Sequence, residues 1–276
     1  MEELGNSRGY WFDEVNHIHY LDGKPLIGTS GVTKILSIPI SWWASGLAVK
    51  EFGVSDPKVL TKIKKKQASL AEITELRKSI ESKLQEIKTM SSAAYFDLVD
   101  RAYRAHDSQL RKSADDGTDL HADLERFVKD QIEEIEFPLR PYPKKIQPFI
   151  NWYREKVKKP LWSEMHCYSK EYWLGGISDF GFIDNEDMFG IMDFKSSKAA
   201  YLPQFWQCSG YDIEISENGG YLPDGTQIFK ATQPVNYYSI LPFGMEVPVP
   251  QFNYDTESCK DAFRAALHLY QKLPRD

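Results

Sequence analysis

The stretch GISDFGFIDNEDMFGIMDFKSSK, residues 176–198, has the pattern of two apolar strands joined by a polar turn. Both strands carry charged side chains at positions where a buried strand is usually apolar: Asp179 in the first, and Asp193 and Lys195 in the second. Side chains alternate between the faces of a strand, so Asp193 and Lys195 share one face and Phe194 points to the other. We therefore expect an antiparallel hairpin that presents acidic and basic groups together.

The length of the turn predicts the register of this hairpin. If the hairpin is symmetric about Glu186, Asp179 lies directly opposite Asp193, because each is seven residues away. Directly opposed side chains have Cβ atoms about 4.5–5.5 Å apart. Two carboxylates at that distance repel each other unless a cation lies between them, and a divalent metal with oxygen ligands meets that need.

Lys195, one pleat beyond Asp193, would then lie beside the metal. There it could orient or polarise a water for attack on phosphorus, as in phosphodiester hydrolysis. A single D-x-K triplet is, however, more often an exposed acid and base on an edge strand. The triplet needs support from other parts of the chain.

Composition limits the class of protein. The 276 residues, 42% of them hydrophobic, are enough for one large domain or two small ones. No apolar run is long enough to span a bilayer and the N-terminus lacks the pattern of a signal peptide, so we expect a cytoplasmic protein without a membrane partner. The three cysteines, Cys167, Cys208 and Cys259, are widely spaced and odd in number, which predicts reduced core thiols and no iron–sulfur cluster.

The charge pattern is ambiguous. The net charge of −6 argues against a protein that coats nucleic acids by overall attraction. Basic residues are nevertheless grouped, at residues 62–66, 101–112 and 143–159. Because a charge run is usually a solvated helix face, this grouping alone does not identify a nucleic-acid surface.

The pattern of apolar residues divides the chain into three parts. Residues 1–57 contain short β-like segments, with a hairpin turn at Asp22-Gly23, and a linker. Residues 58–116 contain no Gly or Pro and carry an amphipathic helical stripe between residues 70 and 90, which predicts a helical insertion with a second helix from Ser91-Ser92. Another helix is expected to begin near Gly117 and to open a core of residues 117–276.

The remaining elements predict an α/β core. Strands are expected at residues 163–169, 176–183, 189–195 and 235–241, and helices at residues 203–215 and 255–273. Three strands, a helix, a strand and a closing helix form a sheet covered by helices.

Five short motifs follow one another in this core. They are GTDLHADLE with Gly117, His121 and Glu125; Glu164 at the start of a strand; GISD with Asp179; MDFK with Asp193 and Lys195; and QCSGY with Gln207 and Tyr211. In this order the sequence resembles the RecB-type branch of the PD-(D/E)XK nuclease superfamily, most closely mitochondrial genome maintenance exonucleases and phage-encoded exonucleases. TSGVTKIL, residues 29–36, resembles the family's P-S-V-T segment but departs from it at Thr29-Ser30-Gly31.

The resemblance implies a restriction-endonuclease-like core, a central mixed sheet flanked by helices, that uses Mg²⁺ or Mn²⁺. It implies that His121, Asp179 and Asp193 bind the metal, with the Phe194 carbonyl as a further ligand, and that Lys195 is the catalytic lysine. Glu164 would support this site or bind a second ion, and Glu171 competes with it for that role. Gln207 and Tyr211 would contact the DNA backbone or brace the ligands.

The implied function is a metal-dependent DNA exonuclease that acts on single-stranded or frayed ends. The helical insertion would arch over the site, and Arg101, Arg104 and Arg111 would guide the strand. Two rivals remain: an endonuclease that cuts at branches or specific sites, and a DNA-binding subunit that keeps the nuclease fold without cleaving. Ordinary structural roles also remain, such as a helix-face pair of His121 with Glu125 and helix-to-sheet packing of Gln207 and Tyr211.

Overall fold

The computed structural model describes residues 9–36, 41–135 and 140–273, with side chains throughout except at 41–44 and 106–118. The chain divides into two compact units: Met1–Ser37 with Gly117–Asp276, and Ile38–Asp116. We call them the sheet unit and the helical unit. Among the described residues, no helix is long and apolar enough to cross a membrane.

The described part of the helical unit, residues 41–116, contains three helices and the first part of a fourth. These are α2 (Ser41–Glu51), α3 (Pro57–Lys64), α4 (Leu70–Thr89) and α5 (Ser92–Ile132), and the residues of α5 from Gly117 onward belong to the sheet unit. The apolar stripe predicted α4 correctly. A capping box fixes its start: Ser69 Oγ accepts from the backbone N–H of Glu72, and the Glu72 carboxylate accepts from the backbone N–H of Ser69.

The prediction of a separate helix that begins near Gly117 is wrong. α5 runs without interruption through that residue, over 41 residues from Ser92 to Ile132. An interior glycine costs a helix only about 1 kcal/mol relative to alanine. The residues around Gly117 include no proline, which is the residue that would end a helix there.

The sheet unit holds all the strands of the described residues. They are β1 (Tyr10–Asp13), β2 (Ile18–Leu21), β3 (Lys24–Pro25), β4 (Ile27–Gly28), β5 (Val157–Ser169), β6 (Leu174–Asp184), β7 (Phe189–Lys195), β8 (Gly220–Tyr221), β9 (Gln227–Phe229), β10 (Tyr237–Pro242) and β11 (Gln251–Asn253). Its other helices are α1 (Thr29–Lys34), α6 (Gln147–Lys156, preceded by a 3₁₀ turn), α7 (Leu202–Asn218) and α8 (Thr256–Lys272).

The strands form two sheets. β1, β2 and β3 make a small antiparallel sheet whose second turn is at Asp22-Gly23, as predicted. The large sheet has the order β11-β10-β7-β6-β5-β8-β9, with β4 added in parallel to β6. Its strands are antiparallel except at the β10–β7 and β4–β6 pairs, which are parallel, so the sheet is mixed. The predicted α/β class with a mixed central sheet is confirmed.

Helices cover both faces of the large sheet. On one face, Phe127 of α5 and Phe149 of α6 pack with Phe180 and Phe194 of the sheet. On the other face, α7 packs against a cluster that includes Ile191. The alternation predicted for β7 is therefore confirmed, because Phe194 and Ile191 lie on opposite faces. All three cysteines are buried free thiols, as expected.

Candidate metal centre

Three carboxylates lie in register on the neighbouring strands β5, β6 and β7. In the β6–β7 ladder Phe180 pairs with Met192, so the next position sets Asp179 opposite Asp193, in the register predicted from the turn. On the other side, the β5–β6 register places Glu164 opposite Asp179, because the pairs on either side of it are in phase. The sheet therefore brings together residues that the sequence separates by up to 29 positions.

Glu164 occupies an unusual backbone conformation for a strand. Its φ angle is 52°, in the left-handed region that non-glycine residues seldom adopt. Around it the alternation of faces changes: Trp162 and Met165, three residues apart, both lie in the core cluster beneath α7. The irregularity turns the Glu164 side chain toward α5, where His121 is located.

His121 completes the acidic group. Its Nε2 lies 2.9 Å from Glu164 Oε1 and 3.8 Å from Asp179 Oδ2. One ligand atom from each of these three residues lies within 4.8 Å of the other two, a separation that suits a shared metal ion. The imidazole also packs edge-on against the ring of Phe194 at 5.5 Å, which fixes its orientation.

Asp193 and Lys195 form a pair at the same end of the sheet. Lys195 Nζ lies 2.6 Å from Asp193 Oδ2, and Asp193 is only 1% exposed. Oδ2 of Asp193 is therefore paired with an ammonium, whereas Oδ1 has no partner among the described residues. Because a buried carboxylate oxygen without a partner is costly, Oδ1 has unused capacity to bind a cation.

The pKa values record how strongly these groups interact. Burial raises the pKa of Asp193 to about 7, with Asp179 adding to it and Lys195 opposing it. Burial also raises the pKa of Asp179, against the effect of His121 and Lys195. At His121 burial works against the charged form, but the Glu164 carboxylate and the two aspartates outweigh it and raise the pKa to about 9.

The same balance applies at Lys195. Burial alone would lower the pKa of its ammonium, whereas Asp193 and Asp179 together raise it above its ordinary value. The lysine is therefore a cation at neutral pH. It can donate hydrogen bonds and stabilise negative charge, but it does not accept a proton.

Gln207 and Tyr211 lie on the buried side of α7, one helical turn apart. Gln207 Nε2 donates to the Tyr211 hydroxyl at 2.5 Å. Burial raises the pKa of the Tyr211 phenol, and the charges of Asp193 and Asp179 raise it further, so both carboxylates are close enough to act on it. Tyr211 is thus within electrostatic range of the acidic group, and the contact of Gln207 and Tyr211 with a substrate stays a prediction.

Two glutamates, Glu171 and Glu125, were alternative partners in the acidic group, and the structure places both elsewhere. Glu171 lies in the turn between β5 and β6, where its backbone N–H donates to Glu217. Glu125, the possible helix-face partner of His121, instead pairs with Lys129. His121 and Glu164 therefore pair with each other and not with these alternatives.

The predicted strand-guiding arginines belong to the helical unit. Arg101 is exposed and pairs with Glu51, and Arg104 is exposed and pairs with Asp100. The side chain of Arg111 falls outside the residues whose side chains are described. A role of these arginines in DNA binding stays a prediction.

One buried group near the site was not predicted. Glu214 of α7 is fully buried and contacts Thr29 of α1 and Cys167 of β5. The available signal was its spacing: Gln207, Tyr211 and Glu214 follow one another at i, i+4 and i+7 and so share one face of α7. Thr29 lies in the very segment that departs from the P-S-V-T pattern.

Comparison with models of known protein families gives no match, and no curated protein matches the chain.

Proposed function

We propose that this chain is a metal-dependent deoxyribonuclease with a restriction-endonuclease-like core, and that it degrades single-stranded or frayed DNA from its ends. The observation that carries the proposal is the convergence of His121, Glu164 and Asp179 beside the buried Asp193–Lys195 pair. Hydrolysis of a phosphodiester needs a cation for the phosphate charge and a group that orients water, and this combination offers both.

The residues present suit a hard divalent cation. Asp179, Asp193 and Glu164 offer carboxylate oxygens, the ligands that Mg²⁺ and Mn²⁺ prefer, and His121 offers one nitrogen. The unpaired Oδ1 of Asp193 supplies a specific reason for a cation at this point, because a bound ion would remove the cost of burying it. The Phe194 carbonyl remains a proposed additional ligand.

The chain's own groups divide the work of the reaction. A bound Mg²⁺ or Mn²⁺ supplies electrostatic stabilisation of the charge that builds up on the phosphate. Lys195, held by Asp193, donates hydrogen bonds to the attacking water and to the developing negative charge. Without a bound cation, Glu164 keeps the His121 ring oriented through the contact of its Oε1 with Nε2, and this nitrogen would bind the cation in place of that contact. Gln207 and Tyr211 hold the DNA backbone or brace the two aspartates.

The order of the five motifs, and the resemblance of that order to the RecB-type nucleases, support DNA as the substrate and cleavage from free ends. Hydrolysis itself does not require an insertion as long as residues 58–116. We propose that this segment, with Arg101, Arg104 and Arg111, restricts the enzyme to strands that have an end.

A digestion assay tests the proposal. Linear and circular single-stranded DNA, duplex DNA and RNA of matched sequence are incubated with the protein in Mg²⁺, Mn²⁺ or EDTA. Linear single strands are expected to be degraded in Mg²⁺ or Mn²⁺ and to survive in EDTA, and the circles are expected to resist. Digestion of circles would favour the endonuclease, binding without cleavage in every metal would favour the non-cleaving subunit, and full activity in EDTA would exclude the metal site.

A further inference from the structure

A second polar cluster lies on the other side of Tyr211 from Gln207, and the proposed reaction does not use it. Its centre is Glu214, which is fully buried. Glu214 Oε1 makes a short hydrogen bond with Thr29 Oγ1, and Glu214 Oε2 lies 3.0 Å from Cys167 Sγ. Thr29 Oγ1 is also 3.3 Å from the carbonyl oxygen of Gly175. Helices α1 and α7 and strands β5 and β6 therefore meet at one carboxyl group.

The number of protons in this cluster determines the state of Glu214. The Thr29 hydroxyl has one proton but faces two oxygens, Glu214 Oε1 and Gly175 O. Both contacts are hydrogen bonds only if Glu214 is protonated, so that its O–H donates to Thr29 and Thr29 donates to Gly175. The Cys167 thiol then donates to Glu214 Oε2, and every donor has an acceptor.

The surroundings of Glu214 agree with a neutral acid. The titratable groups that face it are Cys167 of β5, Tyr10 of β1, and Tyr211 and Glu217 of α7, none of which is a cation. The residues of α1 and β6 that touch it, Thr29, Gly175 and Gly176, do not titrate. Burial raises the pKa of Glu214 to about 8, and its hydrogen-bonding contacts with Thr29 and Cys167 oppose that rise.

The cluster is mechanically close to the metal centre. Gly176 lies three residues before Asp179 on β6, and a Cβ atom there would lie 2.7 Å from the Tyr211 ring and 3.1 Å from Glu214 Oε2. Tyr211 and Glu214 thus pack against the same residue of β6, Gly176. Any movement of α7 at Glu214 moves Tyr211, and with it Gln207, relative to Asp179.

We propose that Glu214 is a positioning residue of the metal centre and that it acts as a neutral carboxylic acid. With Thr29 and Cys167 it fixes α7 on β6, and so holds Tyr211 and Gln207 at the acidic group. The effect on cleavage rests on the proposed nuclease function. Ionisation of Glu214 in alkaline solution removes the proton that the cluster needs, so α7 loosens and turnover falls.

Two substitutions of Glu214 separate this role from simple packing. In Glu214→Gln the amide can donate to Thr29 and accept from Cys167, so kcat is expected to stay within about twofold of the wild type at pH 7.5. In Glu214→Leu both contacts are lost, and kcat is expected to fall by about tenfold or more at an unchanged Mn²⁺ affinity. The alkaline fall in wild-type activity is expected to disappear in Glu214→Gln.

The Thr29 side of the cluster has its own control. Thr29→Val is expected to behave like Glu214→Leu, and Thr29→Ser is expected to restore activity because it keeps the hydroxyl. Thr33→Val is the matched control: Thr33 lies one turn along α1, is buried, and uses its hydroxyl on the Ser30 carbonyl. It makes the same chemical change without touching Glu214, so kcat should remain at the wild-type level.

Two measurements need no cleavage, so failure of the nuclease function would not hide the result. The infrared band of protonated carboxyls at pH 7 is compared in Asp193→Asn and in Asp193→Asn/Glu214→Gln, because Asp193 is itself partly protonated at this pH. The band is expected to lose intensity when Glu214 is replaced. Hydrogen exchange of the α7 amides from Gln207 to Tyr211 is expected to be faster in Glu214→Leu than in Glu214→Gln. The proposal is overturned if the band does not depend on Glu214, or if exchange and kcat respond equally to the Gln and Leu variants.

Discussion

The backbone N–H of Phe194 donates to Asp179 Oδ2 at 2.6 Å, so the residue between Asp193 and Lys195 orients the acid of the neighbouring strand. The two acidic strands are therefore joined by a side-chain contact at the level where a cation is proposed. Because the donor is a backbone group, the contact does not depend on which side chain stands at position 194. The pairing of β6 with β7 and this hydrogen bond thus hold the proposed ligands Asp179 and Asp193 in a fixed relative position.

Asp193→Asn is expected to abolish cleavage while the protein stays folded and keeps much of its DNA affinity, because the variant loses a charged ligand of the proposed metal ion. It also changes the pH dependence of the metal-free protein. With a folded pKa of about 7, Asp193 stays protonated between pH 4 and pH 7 while the unfolded chain loses that proton, so wild-type stability falls as the pH rises through this range.

Urea unfolding at pH 5 and pH 8 measures this effect. The wild type is expected to lose stability between the two values, and Asp193→Asn is expected to lose less. Asp187→Asn, an exposed change in the turn between β6 and β7, is the control. Full cleavage by Asp193→Asn would remove the residue from the metal centre.

Lys195→Ala is expected to lose turnover by about 10²–10⁴-fold and to bind Mn²⁺ as the wild type does, because the lysine acts on the water and the phosphate and does not bind the metal. Steady-state cleavage and a calorimetric Mn²⁺ titration measure the two properties separately. Lys198→Ala, three residues on and exposed, is the matched control. If Lys195→Ala loses Mn²⁺ affinity as completely as Asp193→Asn, the role given to the lysine is wrong.

Metal binding is expected to release about one to two protons per ion at pH 7.5, because ligands bind metals in their deprotonated forms. His121, with a pKa of about 9, is then largely protonated in the metal-free protein, and Asp193, with a pKa of about 7, is partly so. Mn²⁺ affinity should therefore rise from pH 6 to pH 9. Calorimetry in two buffers of different ionisation enthalpy counts the protons, and a heat that is independent of the buffer would contradict the prediction.

Glu164→Gln is expected to lower the pKa of His121 from about 9 toward its ordinary value of 6.5, because the carboxylate that favours the imidazolium is gone. An NMR titration of the His121 ring measures the change. Glu125→Gln is the control: it alters the acid one turn along the same helix, which pairs with Lys129. If the control lowers the pKa and Glu164→Gln does not, His121 belongs to the helix surface.

The small sheet of β1–β3 is expected to limit stability in acid. His19 and His166 are buried, and burial lowers their pKa values to about 3 and about 4. Below pH 6.5 these two histidines bind protons in the unfolded chain but stay neutral in the folded chain. The free energy of unfolding therefore falls as the pH drops from 6.5 toward 4, by roughly 1.4 kcal/mol for each unit by which a pKa is lowered.

His166→Phe tests this expectation. The ring packs against Phe12 at 4.6 Å and its Nδ1 has no hydrogen-bond partner among the described residues, so phenylalanine suits the site. The variant is expected to lose less stability than the wild type between pH 6.5 and pH 4 in thermal or urea unfolding. His268→Gln, on the exposed side of α8, should leave the acid dependence unchanged. Equal acid dependence in wild type and His166→Phe would refute the assignment.

The parts of the fold that the sequence predicts well are those set by local pattern. The β6–β7 register follows from a symmetric turn around Glu186, and α4 follows from its apolar stripe and its cap. The pairing of β10 in parallel with β7 is different, because it joins residues about 47 positions apart. Such a contact depends on the packing of the whole chain, and a local sequence pattern does not predict it.

The candidate site shows the same limit. Spacing and motif order select Asp179, Asp193 and Lys195, but they do not reveal that Glu164, with a φ angle of 52°, turns toward His121. Backbone conformations of that kind result from the surrounding sheet and have no composition signal at a glutamate. The Thr29–Glu214 contact, between residues 185 positions apart, is likewise visible only in three dimensions.

Because of the backbone conformation of Glu164, selection for heat resistance and selection for cleavage are expected to favour different residues at this position. A left-handed glutamate costs on the order of 1 kcal/mol, and glycine or asparagine would relieve that cost at once. A library at this position sorted only for thermal survival should enrich those two residues and discard the carboxylate, whereas sorting for DNA degradation should retain glutamate. The conformational cost at Glu164 would thus act as a standing evolutionary pressure against the cleavage activity that we propose for this site.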